Sequence, residues 1–242
     1  MPIPTFEDPP ELPAHEVHLW WGFVGGDEED SDWSARISAE EETRALRFHR
    51  ARHGRRFRGR RAFLRAVLAR YEGRDPLELV FEPGAHGKPA LASSLTFNLS
   101  HTDDVVLLAV SRGRALGADV QVHRLGTPLE RVARQVLTVR ELAELEAAPV
   151  ASRSAAFFRG WTRKEAALKA TGEGLTRDPR TLELGLAPRA PGVPWRTDEP
   201  ALAAYSLCDL VVPRIADEPL SACLCAAGEG WSSRVIGAVA QL

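Results

Sequence analysis

The chain has 242 residues, enough for one large domain or two small ones, and 44% of them are hydrophobic, which suffices for a real core. A formal net charge of -2 provides no global field to recruit nucleic acid, and no apolar run is long enough to span a bilayer. Three cysteines, Cys208, Cys223 and Cys225, lack CxxC spacing and a nearby histidine, which argues against zinc or a disulfide framework and for buried free thiols.

The opening, MPIPTFEDPPELPAHE, is acidic and proline-rich without an apolar core, so residues 1–15 are expected to form a flexible arm, disordered or loosely draped, of a cytoplasmic protein. Val17 to Phe23 alternates as a strand, and GGDEED after it reads as a loop. Ser38 with Glu41 three residues on is a capping box that opens a helix running to about Phe48.

Between Arg44 and Arg70 stand eleven arginines and two histidines, a local concentration that the overall charge does not explain. Phe57, Ala62, Phe63, Ala66, Val67, Leu68 and Tyr71 give this segment one buried helical stripe, with arginines opposite. That face is either simply solvated or holds a polyanion. No helix-turn-helix, zinc-finger or RNP-like signature accompanies it, which speaks against nucleic acid.

Leu77 to Phe81 reads as a short strand and PGAHGKPAL as a loop carrying Lys88 and Pro89. Leu95–Ser100 and Val105–Val110 are expected as strands around a polar turn at His101, where an imidazole beside Ser100 can donate to a phosphate. Another strand follows in ALGADVQVH. There Asp119 and Gln121 leave the same face, which suits either a solvated strand or the start of an oxygen-ligand Mg²⁺ site. Pro128–Gln135 and Val139–Glu146 read as helices, the second with Thr138 and Glu141 as a capping box. After a long helix from about Ala151, LELGL, AAYSLCDLVV and LSACLCAAG are expected as strands. Each half thus pairs helices with an antiparallel meander, and the break falls near Ser111 to Arg114.

The end of the long helix, WTRKEAALKATGEGL, concentrates the chemistry. Only three lysines occur among 31 Lys and Arg, and two of them, Lys164 and Lys169, are here. Lys is a compact charge with a tunable pKa, so sites where arginine has not been used are candidates for phosphate contact or proton transfer, the alternative being a solvated face. Glu165 and Lys169 share a helix face, with Lys164 offset by about 100 degrees. Gly172 and Gly174 supply the positive-φ positions that end the helix.

GKP at 87–89, FNLSHT at 97–102, GADVQ at 117–121 and WTRKEAALKATGEGL at 161–175, in that order, resemble the Sfp-type 4′-phosphopantetheinyl transferases, in the branch whose last motif reads W then KEA. The resemblance covers about Val17 to Ala226. It implies an α+β fold of two similar α/β subdomains related by a pseudo-twofold, here 1–113 and 114–242, with the active site in the cleft between them. It implies Mg²⁺-dependent transfer of the phosphopantetheine arm of coenzyme A to a serine of an apo acyl or peptidyl carrier protein, releasing adenosine 3′,5′-bisphosphate. Position by position, it gives Asp119 and Glu165 as metal ligands, with Gln121 where relatives often have Glu. Lys164 and Lys169 fall beside the pyrophosphate, Lys88 and Pro89 at the adenine nucleotide, and Ser100 and His101 at a phosphate. Arg44 and, as a second candidate, Arg56 are placed at the 3′-phosphate, and Glu141 matches an acid sometimes invoked in catalysis. Glu165, Lys169 and Lys164 are the expected catalytic residues. Coenzyme A and a carrier protein are the expected partners of a monomer, with no nucleic acid and no membrane. An arginine-rich nucleic-acid module and a coenzyme A binder without transfer, suggested by Gln121, are the competing readings.

Overall fold

In the computed structural model, residues 9–25, 34–84, 88–124, 126, 128–214 and 217–238 are described, Leu175 and Ala238 by their backbone alone. Among the described residues the strands form two larger sheets and a small ribbon. The first has the order β4-β5-β1-β9, from Leu95–Thr102, Val105–Arg112, Glu16–Phe23 and Ser232–Ala238. The second has the order β6-β8-β7, from Leu116–Val122, Leu220–Ala227 and Tyr205–Asp209. A two-stranded ribbon joins β2 (Phe81–Pro83) to β3 (Pro89–Leu91). The helices are α1 (Ala39–Leu46), α2 (Ala51–Glu72), α3 (Leu129–Val136), α4 (Val139–Ala147) and α5 (Val150–Thr171).

Strand periodicity explains the layering. On β5, Val105, Leu107 and Ala109 face the second sheet, while Val106, Leu108 and Val110 face α2. With both faces buried, the strand is a continuous apolar run. Leu19 and Trp21 of β1 join the central core against Leu116, Ala118 and Val120 of β6 and Leu224 of β8. Phe63, Leu64, Val67 and Leu68 of α2 cover the outer face of the first sheet, and Ala166, Ala167, Leu168 and Ala170 of α5 cover that of the second. The result is α+β, with one long helix on the outside of each sheet.

Both expected capping boxes form. The Ser38 side chain accepts from Glu41 N–H at 3.2 Å, and Thr138 does so from Glu141 N–H at 3.1 Å. Gly73 at φ 61° and Gly172 at φ 77° end α2 and α5 in the left-handed region that glycine adopts without strain.

The two sheets also meet along their edges. Asn98, Ser100 and Thr102 project from β4 toward β6, and their side-chain oxygens accept the backbone N–H groups of Ala118 (2.7 Å), Val120 (3.3 Å) and Val122 (3.3 Å). Side chains at a period of two thus satisfy an edge strand that no backbone ladder covers.

Several expectations are corrected. Residues 9–15 are not loosely draped: Leu12 is buried against α2, and Glu16 N–H bonds to Pro13 carbonyl. Residues 1–8 lie outside the described residues. Pro76–Glu78 is a 3-10 turn capped by Asp75, and the strand expected there begins only at Phe81. His101 lies in β4, leaving Asp103 and Asp104 as the turn. LELGL is not a strand, because carboxylates take its amides: Glu141 accepts from Leu184 and Gly185, and Glu144 from Leu186. The division at 113/114 is crossed by β9, which leaves the second half and pairs parallel with β1.

Candidate active site

Gly117 positions everything that follows. On the outer face of β6 a Cβ at this residue would lie 2.3 Å from Ala166 carbonyl and 2.4 Å from Ala170 nitrogen. Only glycine lets the α5 backbone come this close. Asp119, two residues on along the same face, is thereby brought under the Glu165–Lys169 stripe of α5.

Asp119 is buried. Its Oδ1 receives Lys169 Nζ at 2.6 Å and Ser100 Oγ–H at 2.8 Å, and its Oδ2 receives Gln121 Nε2–H at 3.1 Å. Lys169 Nζ also donates to Ala118 carbonyl and to Ser100 Oγ, both at 3.2 Å. Ser100 therefore belongs to the framework, tying β4, β6 and α5 together at one hydroxyl.

Glu165 contributes the unusual group. Its Oε1 is buried and, among the described residues, has no hydrogen-bond partner. Burial first, and the Asp119 carboxylate second, raise its pKa above the ordinary carboxylate range, with Lys169 opposing. A buried carboxylate oxygen left unsatisfied beside a second carboxylate is costly unless a cation or proton joins it. The donor set is all oxygen, as a hard cation such as Mg²⁺ requires. Among the described residues no group of three or more His, Cys, Asp and Glu could hold a metal. The oxygen donors that could contribute to such a site are the Asp119 and Glu165 carboxylates, with Gln121 alongside them.

Beside this cluster lies a cavity of about 310 Å³ lined by residues including His53, Arg56, Arg60, His101, Gln121 and Arg124. Arg56 is one wall, but both arms of its guanidinium are taken by Asp104 at 2.7 Å, with Asp103 at 3.2 Å. His101 Nδ1 lies 3.2 Å from Arg60 Nη1. The cleft walls desolvate the imidazole, and Arg60, Lys169 and Arg56 add positive charge, lowering its pKa to about 4 even though one edge meets solvent. It is neutral at physiological pH.

Lys88 reaches across from β3 to donate to Leu116 carbonyl at 2.7 Å and Lys169 carbonyl at 3.3 Å. Burial, then the Lys169 charge, lowers its pKa to about 8. Pro89 opens β3 opposite Pro83. Gly87 lies outside the described residues.

Three expected residues fall elsewhere. Lys164 is fully buried and points away from Asp119, pairing with Glu141 at 2.7 Å and donating to the carbonyls of Pro179 and Leu182. It is internal structure and not a phosphate ligand. Glu141 is saturated too, accepting from Thr138, Leu184 and Gly185 N–H in addition to Lys164, so the carboxylate is a scaffold and not a base. Arg44 is exposed and sits over the Phe57 ring, 5.2 Å from its centroid. It is not among the cavity residues, although Phe57 makes a tilted ring contact with Phe48, which is.

Part of the arginine run is held internally. Arg61 and Arg65 pair with Glu41, and Arg58 with Glu42. Sequence reasoning missed Arg60, for which counting charges provides no signal, and Asn98, whose place two residues before Ser100 on one strand face could have revealed it.

A family model described as 4′-phosphopantetheinyl transferase superfamily matches residues 115–223, the stretch that holds Asp119, Glu165 and Lys169. The 4′-phosphopantetheinyl transferase HetI of Nostoc sp. is 36% identical over 236 residues, covering 93% of this chain and 94% of its own length. AcpT of Salmonella typhimurium, also a 4′-phosphopantetheinyl transferase, is 40% identical over 97 residues, 39% of this chain and 50% of its own. The 4′-phosphopantetheinyl transferase of Bacillus subtilis is 26% identical over 150 residues, 61% of this chain and 66% of its own.

Proposed function

The chain belongs to the 4′-phosphopantetheinyl transferase superfamily, with coenzyme A as substrate and a carrier protein as acceptor, and from that premise we propose how its cleft performs the transfer. The observation that carries the proposal is Glu165 Oε1, buried without a partner beside Asp119 and Lys169.

Asp119 and Glu165 would hold a Mg²⁺ ion in this cleft. Gln121 donates its amide N–H to Asp119, which leaves its amide oxygen free to accept a hydrogen bond or to act as a neutral ligand should a metal bind. Bound Mg²⁺ supplies Lewis-acid stabilisation of negative charge on the phosphate oxygens. Lys169 supplies fixed positive charge from the protein side, already aimed by Ser100 and Ala118 carbonyl. His101, being neutral, serves as a hydrogen-bond donor to a phosphate and not as a fixed charge. The carrier serine oxygen attacks the β-phosphorus in line, and the bond to the oxygen of the departing adenosine 3′,5′-bisphosphate breaks. Glu165, or a water it holds, accepts the serine proton.

Lys88 acts beside the nucleotide by holding the start of β6 against the last turn of α5. The protein works as a cytoplasmic monomer. Among the described residues no helix is long and apolar enough to cross a membrane.

Calorimetric titration of coenzyme A with and without Mg²⁺ tests the binding half of the proposal. Tighter binding in Mg²⁺, abolished by Asp119→Asn, is expected; binding indifferent to both would refute it.

A further inference from the structure

Among the described arginines that line the cavity, Arg60 has no carboxylate partner. Arg56 is forked onto Asp104, Arg58 onto Glu42, Arg61 and Arg65 share Glu41, and Arg124 contacts Asp103. Arg60 stands among them half-buried, and among the described residues the polar partner of its guanidinium is His101 Nδ1 at 3.2 Å, a neutral ring nitrogen. Burial and the nearby Arg56 both disfavour the Arg60 charge, and Asp104 offsets them only in part. An anion entering the cavity would relieve that cost.

The contact also fixes the imidazole. A guanidinium has only N–H donors and stays protonated, so Nδ1 of His101 must accept. The ring proton then resides on Nε2. Arg60 and His101 both line the cavity that Gln121 shares, next to the Asp119 carboxylate.

We infer that Arg60 is a phosphate-binding residue of this cleft: it supplies the charge that holds one phosphate group of coenzyme A, and it fixes His101 as the Nε2–H tautomer that donates to the same group. The inference rests on coenzyme A occupying this cleft. The phosphate is either the 3′-monoester or part of the pyrophosphate, and both present the same oxygens to an Arg–His pair.

The test combines binding with ¹⁵N NMR of the His101 ring. In the wild-type protein the ring is expected as the Nε2–H tautomer. Arg60→Ala should weaken coenzyme A binding about ten- to a hundredfold, the loss of one charge-assisted contact, and should release His101 into a mixture of tautomers. Arg60→Lys should recover part of the affinity, and the fold of both variants is checked by circular dichroism. Dephospho-coenzyme A, which lacks the 3′-phosphate, separates the sources: a loss shared by both ligands places the pyrophosphate on the pair, and a loss confined to coenzyme A places the 3′-phosphate there. Wild-type affinity for both ligands in Arg60→Ala, or a wild-type His101 protonated at Nδ1, would overturn the inference. A wild-type protein that does not bind coenzyme A would refute the reading of the cleft and this assignment with it, whereas binding untouched by Arg60→Ala refutes the assignment alone.

Discussion

Lys169 Nζ stands 2.6 Å from Asp119 Oδ1, joining the last turns of α5 to the face of β6 that Gly117 opens. Ser100 reaches the same carboxylate oxygen from β4 at 2.8 Å, so residues from three elements and both sheets converge on one atom. Glu165 completes the group with an oxygen that no donor among the described residues satisfies. The site is a junction between the two halves, and disturbing the junction should disturb the chemistry.

Glu165→Gln removes the charge and the base while keeping the shape. Transfer should fall about a hundred- to a thousandfold, with Mg²⁺ dependence lost and the thermal midpoint unchanged or raised, since a buried unpaired carboxylate is gone. Steady-state transfer assays and thermal unfolding check this; near-normal turnover would sink the role.

Gly117→Ala places a methyl group against backbone atoms of α5 that cannot rotate away. Overpacking of this kind costs about 1–3 kcal/mol. The accompanying shift of Glu165 and Lys169 over Asp119 should cost about a hundredfold in transfer, as misplacement by about 1 Å does elsewhere. A variant with wild-type turnover would show that the helix approach does not set the site.

Lys164→Met is the opposite case. It leaves Glu141 buried without its cation, which should cost about 3–5 kcal/mol of stability. The folded fraction should keep its coenzyme A affinity and kcat, because Lys164 does not reach the cleft. Denaturant unfolding and kinetics measured on the same preparation separate the two effects. Unchanged stability with abolished transfer would return Lys164 to the active site.

These two lysines show what sequence spacing can and cannot deliver. That Asp119 and Gln121 share a face, and that Glu165 and Lys169 share another, follows from strand and helix periods, and the structure brings both faces together. Lys164, adjacent to Glu165, looked equally available, since its partner Glu141 lies on another helix and its other contacts are backbone carbonyls of a loop. Strand β9 was missed because its partner β1 lies at the opposite end of the chain, and SSRVIGA has little of the buried alternation of β5. Among eleven arginines, which ones are held internally depended on Glu41, Glu42, Asp103 and Asp104, and their partners can be seen only once α1, α2 and the β4–β5 turn are placed.

His101 should remain neutral through the physiological range. Desolvation, with Arg60, Lys169 and Arg56, depresses its pKa from 6.5 to about 4. The unfolded chain therefore takes up the proton first. The stability contributed is complete above pH 6.5 and is lost progressively as pH falls from there toward 4. Ring resonances of His101 in the free protein should stay flat from pH 8 to 5.5 and move only near 4. A midpoint near 6.5 would contradict the description of the cleft wall.

The most direct test of the whole account is intact-mass spectrometry of a panel of apo carrier proteins incubated with this protein, coenzyme A and Mg²⁺, alongside an EDTA control. The account predicts a mass gain of one phosphopantetheine on a carrier, dependent on its acceptor serine and lost with EDTA or in Glu165→Gln. A gain that persists in EDTA, or no gain on any carrier despite demonstrated coenzyme A binding, would contradict it.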